Sequence, residues 1–276
     1  MKKLLVILAL IFTVSAFTGV EASELKWTGC GISKKAFMED LANAYEKKTG
    51  TKIILKGSGA TEGIRNVAKG EFDIGGSCRH KINAAEEKDA MLHQVAWDAL
   101  VFIVNDGNPV DSVTEAQIKK LYTGKIRSWK ELGGPDAPIK LVDREGKTSG
   151  TGLMLRELLF NNPDEEFTSD AEYKKSTGPI EAAVSADPLA ISATGVSSAQ
   201  KRDKIKMLKV NGVAPTKENI MSGKYTLYRP LYITTKGEPA GETKKFLEFA
   251  LSDEGQAIIS AQGTVNLKEG KSLKKR

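Results

Sequence analysis

Lys56-Gly57-Ser58-Gly59-Ala60-Thr61-Glu62-Gly63, followed by a short apolar-periodic run and then Asp73-Ile74-Gly75-Gly76-Ser77-Cys78-Arg79, decides how this chain folds. Lys52-Ile53-Ile54-Leu55 ahead of it reads as a strand. Ile64, Val67 and Ala68 fall at helical spacing after Gly63, and Gly70 stops the helix. Strand, glycine turn and helix start together make an anion seat. The first N–H groups of a helix have no internal acceptor, and the helix dipole adds partial positive charge there. Glycine lets that backbone come close to a ligand.

The same grammar recurs on both sides. Upstream, a strand over residues 25–29 runs into Gly29-Cys30-Gly31-Ile32-Ser33. Ser33 is the expected N-cap of a helix carrying Phe37, Leu41, Ala44 and Tyr45 on one face. Downstream, the apolar run 99–104 suits a strand buried on both faces, and Asn105-Asp106-Gly107-Asn108-Pro109 breaks it. A strand over 139–142 leads into Asp143-Arg144-Glu145-Gly146-Lys147-Thr148-Ser149-Gly150-Thr151, a third turn rich in glycine and hydroxyls. Ser176-Thr177-Gly178-Pro179 opens another helix. Alternating strands and helices give an α/β class, and ligands of such sheets bind where strands end and helices begin. The expected layout is a segment 1–22 that is removed, one domain from 23–104 plus 231–267, a second from 105–230, and a basic flexible tail at 268–276.

Composition narrows the function. Residues 1–22 carry Lys2 and Lys3, an apolar run and Val20-Glu21-Ala22, which is the pattern of a cleaved secretory signal peptide. The 276-residue chain has a formal charge of +6; without those residues 39 basic side chains face 34 acidic ones, a net +5 that suits small anions. No aromatic-interleaved basic patch appears, so nucleic acid is not an expected partner. The two histidines, His80 and His93, have no metal-ligand spacing, and neither metal nor cofactor is expected. No histidine or carboxylate pair is placed to activate Ser58, so catalysis is not expected. The two cysteines, Cys30 and Cys78, in an exported chain favour a disulfide, with free buried thiols as the alternative.

Taken together, these turns resemble those of the phosphate-binding subunit of bacterial phosphate importers, a family of periplasmic solute-binding proteins. The resemblance spans nearly the whole chain after residue 22. It rests on Gly29-Cys30-Gly31-Ile32-Ser33, Gly57-Ser58-Gly59-Ala60-Thr61, Asp73-Ile74-Gly75-Gly76-Ser77, Leu121-Tyr122-Thr123-Gly124-Lys125-Ile126 with Trp129, and Arg144 with Ser149-Gly150-Thr151. It implies a type II venus-flytrap of two α/β lobes, monomeric and periplasmic, that binds inorganic phosphate for the permease of an ATP-binding-cassette (ABC) importer. Another tetrahedral oxyanion, or a sensor without a transporter, is the alternative. Ser33, Ser58 and Gly59, with the Lys34 amide, match first-lobe donors; Ser77 and Arg79 follow in the next turn. Arg144 matches the cation, and Ser149, Gly150 and Thr151 match the second-lobe donors. The fold would also make neighbours of the strand ends bearing Cys30 and Cys78. One position departs: better-known members carry Asp where this chain has Cys78, so the acceptor that favours a protonated anion is replaced by a thiol.

Overall fold

The computed structural model describes residues 23–274, so the expected signal peptide lies outside the described residues. β1 (Glu24–Gly29) passes into α1 (Gly31–Ser33), which continues through a π turn into α2 (Glu39–Thr49). β2 (Lys52–Gly57), α3 (Ala60–Lys69) and β3 (Ile74–Ser77) follow, and the long β4 (Ala90–Asn105) leaves this first lobe. The second lobe holds β5 (Ser112–Val113), α4 (Glu115–Tyr122), β6 (Lys140–Arg144), α5 (Gly150–Leu155), β7 (Glu172–Lys174), α6 (Thr177–Ala186), β8 (Ala190–Gly195) and α7 (Val196–Ala199). β9 (Ile205–Met207), β10 (Lys209–Val210) and α8 (Lys217–Met221) complete it. β11 (Tyr228–Lys236) returns, and α9 (Gly241–Leu251), α10 (Asp253–Ala261) and β12 (Val265–Asn266) close the chain.

One sheet runs through both lobes in the order β2-β1-β3-β11-β4-β8-β6-β7. β1 pairs in parallel with β2 and β3, the arrangement that crossover helices such as α3 enforce. β4 joins the halves. Ala99 still faces Tyr228 of β11, whereas the next residue, Leu100, faces Gly195 of β8. The change of partner thus falls inside the strand, earlier than the Asn105 turn marked in the sequence. Two apolar clusters match the two halves. One packs Trp27, Ile32, Phe37, Leu41, Leu231 and Phe246; the other packs Phe102, Tyr122, Trp129, Ile180, Ile191 and Leu208.

The expected flexible tail is tied down as far as Leu273. Lys268 pairs with Asp253, Gly270 lies against the Trp97 ring, and the Leu273 side chain is buried in the second cluster. Leu273 supplies the reason: its apolar side chain takes the chain end back to the core despite the basic residues around it.

Candidate functional site

β1, β2, β6 and β7 all end at the gap between the lobes, and a helix starts after each end. Around this gap lies a cavity of about 180 Å³ lined by Cys30, Gly31, Gly57, Ser58, Gly59, Ala60, Cys78, Arg144, Gly150, Thr151, Ser176, Thr177 and Gly178. Gly31, Ala60, Gly150 and Thr177 are the first residues of α1, α3, α5 and α6. Four helix starts therefore converge on one small space, two from each lobe. Their unpaired N–H groups and dipoles favour an anion.

Local sequence places each piece. The Ser58 and Gly59 amides both donate to Gly29 O, at 2.9 and 3.0 Å, which folds the β2–α3 turn back over the end of β1. Gly59 sits at φ 112°, a conformation that side chains disfavour, and a methyl there would lie 3.0 Å from Arg144 Nη2. The Ser58 hydroxyl is held by Thr28 Oγ1 at 2.6 Å. Ser149 caps α5 by accepting the Gly152 amide, whereas Ser176 precedes α6 with no capping bond from its side chain. The Ser176 hydroxyl is thus not engaged at the helix start it faces.

Arg144 is the one permanently charged side chain in the lining. Its Nη1 donates to Glu145 O and Lys174 O, at 3.1 and 3.2 Å, which fixes the guanidinium over Gly59. Burial lowers its pKa, and the neighbouring Cys78, Glu145, Cys30 and Asp143 oppose that shift. Arg229 lies behind the cavity, wholly buried, donating to Gly150 O at 3.3 Å and paired with Asp98. Outside the cavity, a second space of about 350 Å³ shares Ser58, Gly59 and Arg144 and adds Ser149, Thr148 and Lys175. It forms the mouth.

The structure brings Ser58, Gly59, Arg144, Gly150 and Thr151 to the inner cavity and Ser149 to its mouth. Four other expected residues lie elsewhere. Cys30, not Ser33, is the N-cap, because the helix starts at Gly31; the Ser33 hydroxyl turns back to Cys30 Sγ at 2.7 Å. The Lys34 amide donates to Cys30 O within the helix, and its side chain pairs with Glu39. Ser77 Oγ donates to Arg79 O in a tight turn. Arg79 is fully buried, held by Glu87 at 2.6 and 3.0 Å, and reaches across to Thr148 O of the other lobe at 2.7 Å. Thr61 Oγ1 donates to the same carbonyl at 2.9 Å. Arg79 is therefore a clasp between lobes rather than a group facing the cavity.

The expected disulfide is also absent. Cys30 and Cys78 are free, buried thiols that touch one another and line the cavity. Each sulfur has other partners. Cys30 Sγ accepts the Ser33 amide at 3.2 Å as the helix cap, and Cys78 packs against Gly150, where a methyl would overlap its sulfur. The sequence reading took Ser176, Thr177 and Gly178 as a helix start but did not count them among the site residues. Their signal was present in Ser-Thr-Gly-Pro, a strand-to-helix turn of the same kind as the other three.

Comparison with known proteins gives the family. Residues 29–254 match the family model described as PBP superfamily domain. The chain is 28% identical over 279 residues to the phosphate-binding protein PstS of Borreliella burgdorferi, covering 97% of this chain and all of that one. It is 29% identical over 243 residues to PstS of Bacillus subtilis, covering 85% and 79% respectively. Among solved structures it is similar to a putative phosphate ABC transporter substrate-binding protein with bound phosphate from Clostridium perfringens. That match has a TM-score of 0.80 and 33% identity, over 88% of this chain and 99% of that one. The family model spans most of the chain, from the first helix start to α10, and the chain belongs to the PBP superfamily.

Proposed function

We propose that this chain is the extracytoplasmic receptor of a phosphate importer. It binds inorganic phosphate in the inner cavity and presents it to the membrane permease of an ABC transporter. The observation that carries this reading is the convergence of four helix starts and Arg144 on one cavity of about 180 Å³ between the lobes. Arg144 supplies a planar fork of charge-assisted donors, and hydroxyls from Ser58, Thr151, Ser176 and Thr177 complete a shell that replaces water around the ion. No His, Asp or Glu lies in the cavity lining, which supports retention of the anion over its turnover. The PstS proteins and the phosphate-bound neighbour named above support phosphate among the tetrahedral oxyanions. The pattern of residues 1–22 supports export, with the two-domain layout described for the sequence.

Calorimetric titration of the anion-free protein with phosphate, arsenate, sulfate and molybdate tests the reading. Phosphate is expected to bind at one site per chain. Arg144→Ala is expected to weaken it by about a hundredfold, the scale of two charge-assisted hydrogen bonds. A variant that binds phosphate as tightly as the parent would place the anion somewhere else.

A further inference from the structure

The phosphate reading leaves two reactive groups without a role. Cys30 follows the end of β1 and Cys78 the end of β3, adjacent parallel strands, and beyond those ends both side chains enter one cavity wall and interact with each other. They are unlinked, almost fully shielded from bulk solvent, and both in the cavity wall. A buried thiol is ordinarily inert packing. These two differ in three respects. Cys30 Sγ sits on a helix start, accepts the Ser33 amide and lies 2.7 Å from the Ser33 hydroxyl. Arg229 lies beside the pair, its Nε without a partner among the described residues. Arg144 lies on the open side of the same cavity. A helix start and neighbouring cations are what favour a thiolate.

We propose that Cys30 and Cys78 form a dithiol ligand site inside the oxyanion cavity, specific for small trivalent thiophilic oxyacids of the arsenous-acid class. The cavity already suits a small hydroxylated species, and the paired sulfurs add soft donors that phosphate cannot use. Two As–OH groups leave as water, each taking one thiol proton. Two As–S bonds replace two As–O bonds, with no change of oxidation state. The third hydroxyl remains on arsenic, facing the helix starts. The proton inventory suits this exchange. Burial raises the Cys30 pKa, but hydrogen bonds from Cys78 and Ser33 and the charge of Arg229 bring it down to about 7. Cys78 is pushed well up, first by the neighbouring Cys30 and then by burial, and keeps its proton. Cys30 attacks as its thiolate while Cys78 holds the proton for the first leaving hydroxyl, and the proton that Cys30 released to solvent water returns to the second.

This site shares the cavity of the phosphate reading, so the test separates the two. Reduced protein is incubated with sodium arsenite, desalted, and analysed for arsenic content and by arsenic K-edge absorption. One arsenic per chain is expected, bonded to two sulfurs and one oxygen, with phosphate no longer binding to the loaded protein. Cys30→Ser and Cys78→Ser are each expected to lower arsenite affinity about a hundredfold, because the second attachment is then no longer intramolecular. The absorption spectrum of the parent protein stands even if a variant fails to fold. Absence of retained arsenic on the parent, a spectrum with oxygen neighbours alone, or full retention by either serine variant would overturn the proposal. Arsenic uptake without any phosphate binding would sink only the phosphate reading, and the reverse pattern only this one.

Discussion

Asp143 shows how far a neighbouring site can strain a single residue. It precedes Arg144 on β6, is 1% exposed, and has one carboxylate oxygen with no partner among the described residues. Burial raises its pKa from 3.8 to about 7, against the Arg144 backbone hydrogen bond and the charges of Arg156 and Arg144. The folded value lies above the unfolded one, so the folded chain keeps a proton that the unfolded chain has released. Stability from this group is complete below about pH 4 and is lost as pH rises toward 7 and through it. Asp143→Asn is expected to abolish that decline, an effect on the order of 4 kcal/mol at most between pH 4 and 8. Urea unfolding at several pH values checks it; parallel curves for parent and variant would contradict it. At this scale the sequence was readable where chemistry is local. Ser58 and Gly59 sit in a strand–glycine–helix turn, and Arg144 leads into another. Ser33 was misread because the helix is capped three residues earlier, by the Cys30 thiol, which is not among the usual capping groups. Arg79 was misread because its partners, Glu87 and Thr148 O, are set by tertiary contacts that no nearby pattern announces.

Among the elements, α5 is the most tightly placed. Its first residue, Gly150, faces the other lobe: a methyl there would overlap Cys78 Sγ and stand 2.9 Å from Ala60 Cβ. Closure of the gap therefore depends on a missing side chain. Gly150→Ala is expected to weaken phosphate binding by about tenfold, the low end of what one added methyl costs in a packed site. Global stability should change less, because the added methyl meets only the opposite lobe. Titration together with small-angle scattering checks this, the variant showing a more open average shape; unchanged affinity would contradict it. Helices with long apolar faces, such as the one bearing Phe37 and Leu41, were legible from their period. The two- and three-residue strands β5, β7, β9, β10 and β12 were not, since so short a segment carries no period. β4 was legible over residues 94–104, where the apolar run 99–104 marks it; residues 90–93 have no such run, and pairing with β11 rather than composition adds them to the strand.

In the whole molecule, two apolar cores are joined by β4 and β11 and clasped at the gap by the Arg79–Glu87 pair and Thr61, both acting on Thr148 O. The clasp is polar and small, as a contact that must open for ligand exchange has to be. The α/β class was evident from the alternation of strands and helices, and so were three of the four converging helix starts. The place where the chain changes lobes was not, because a strand that passes from one partner to another mid-length looks uniform in sequence. The central claim is that those helix starts and Arg144 hold one phosphate between the lobes. Crystals of the chain from residue 23 onward, grown with phosphate, test it most directly. The expected result is a single tetrahedral density in the cavity, within hydrogen-bond reach of Arg144 and of residues from both lobes, Ser58 and Thr151 among them. Phosphate found away from Arg144, or contacting one lobe alone, would contradict it.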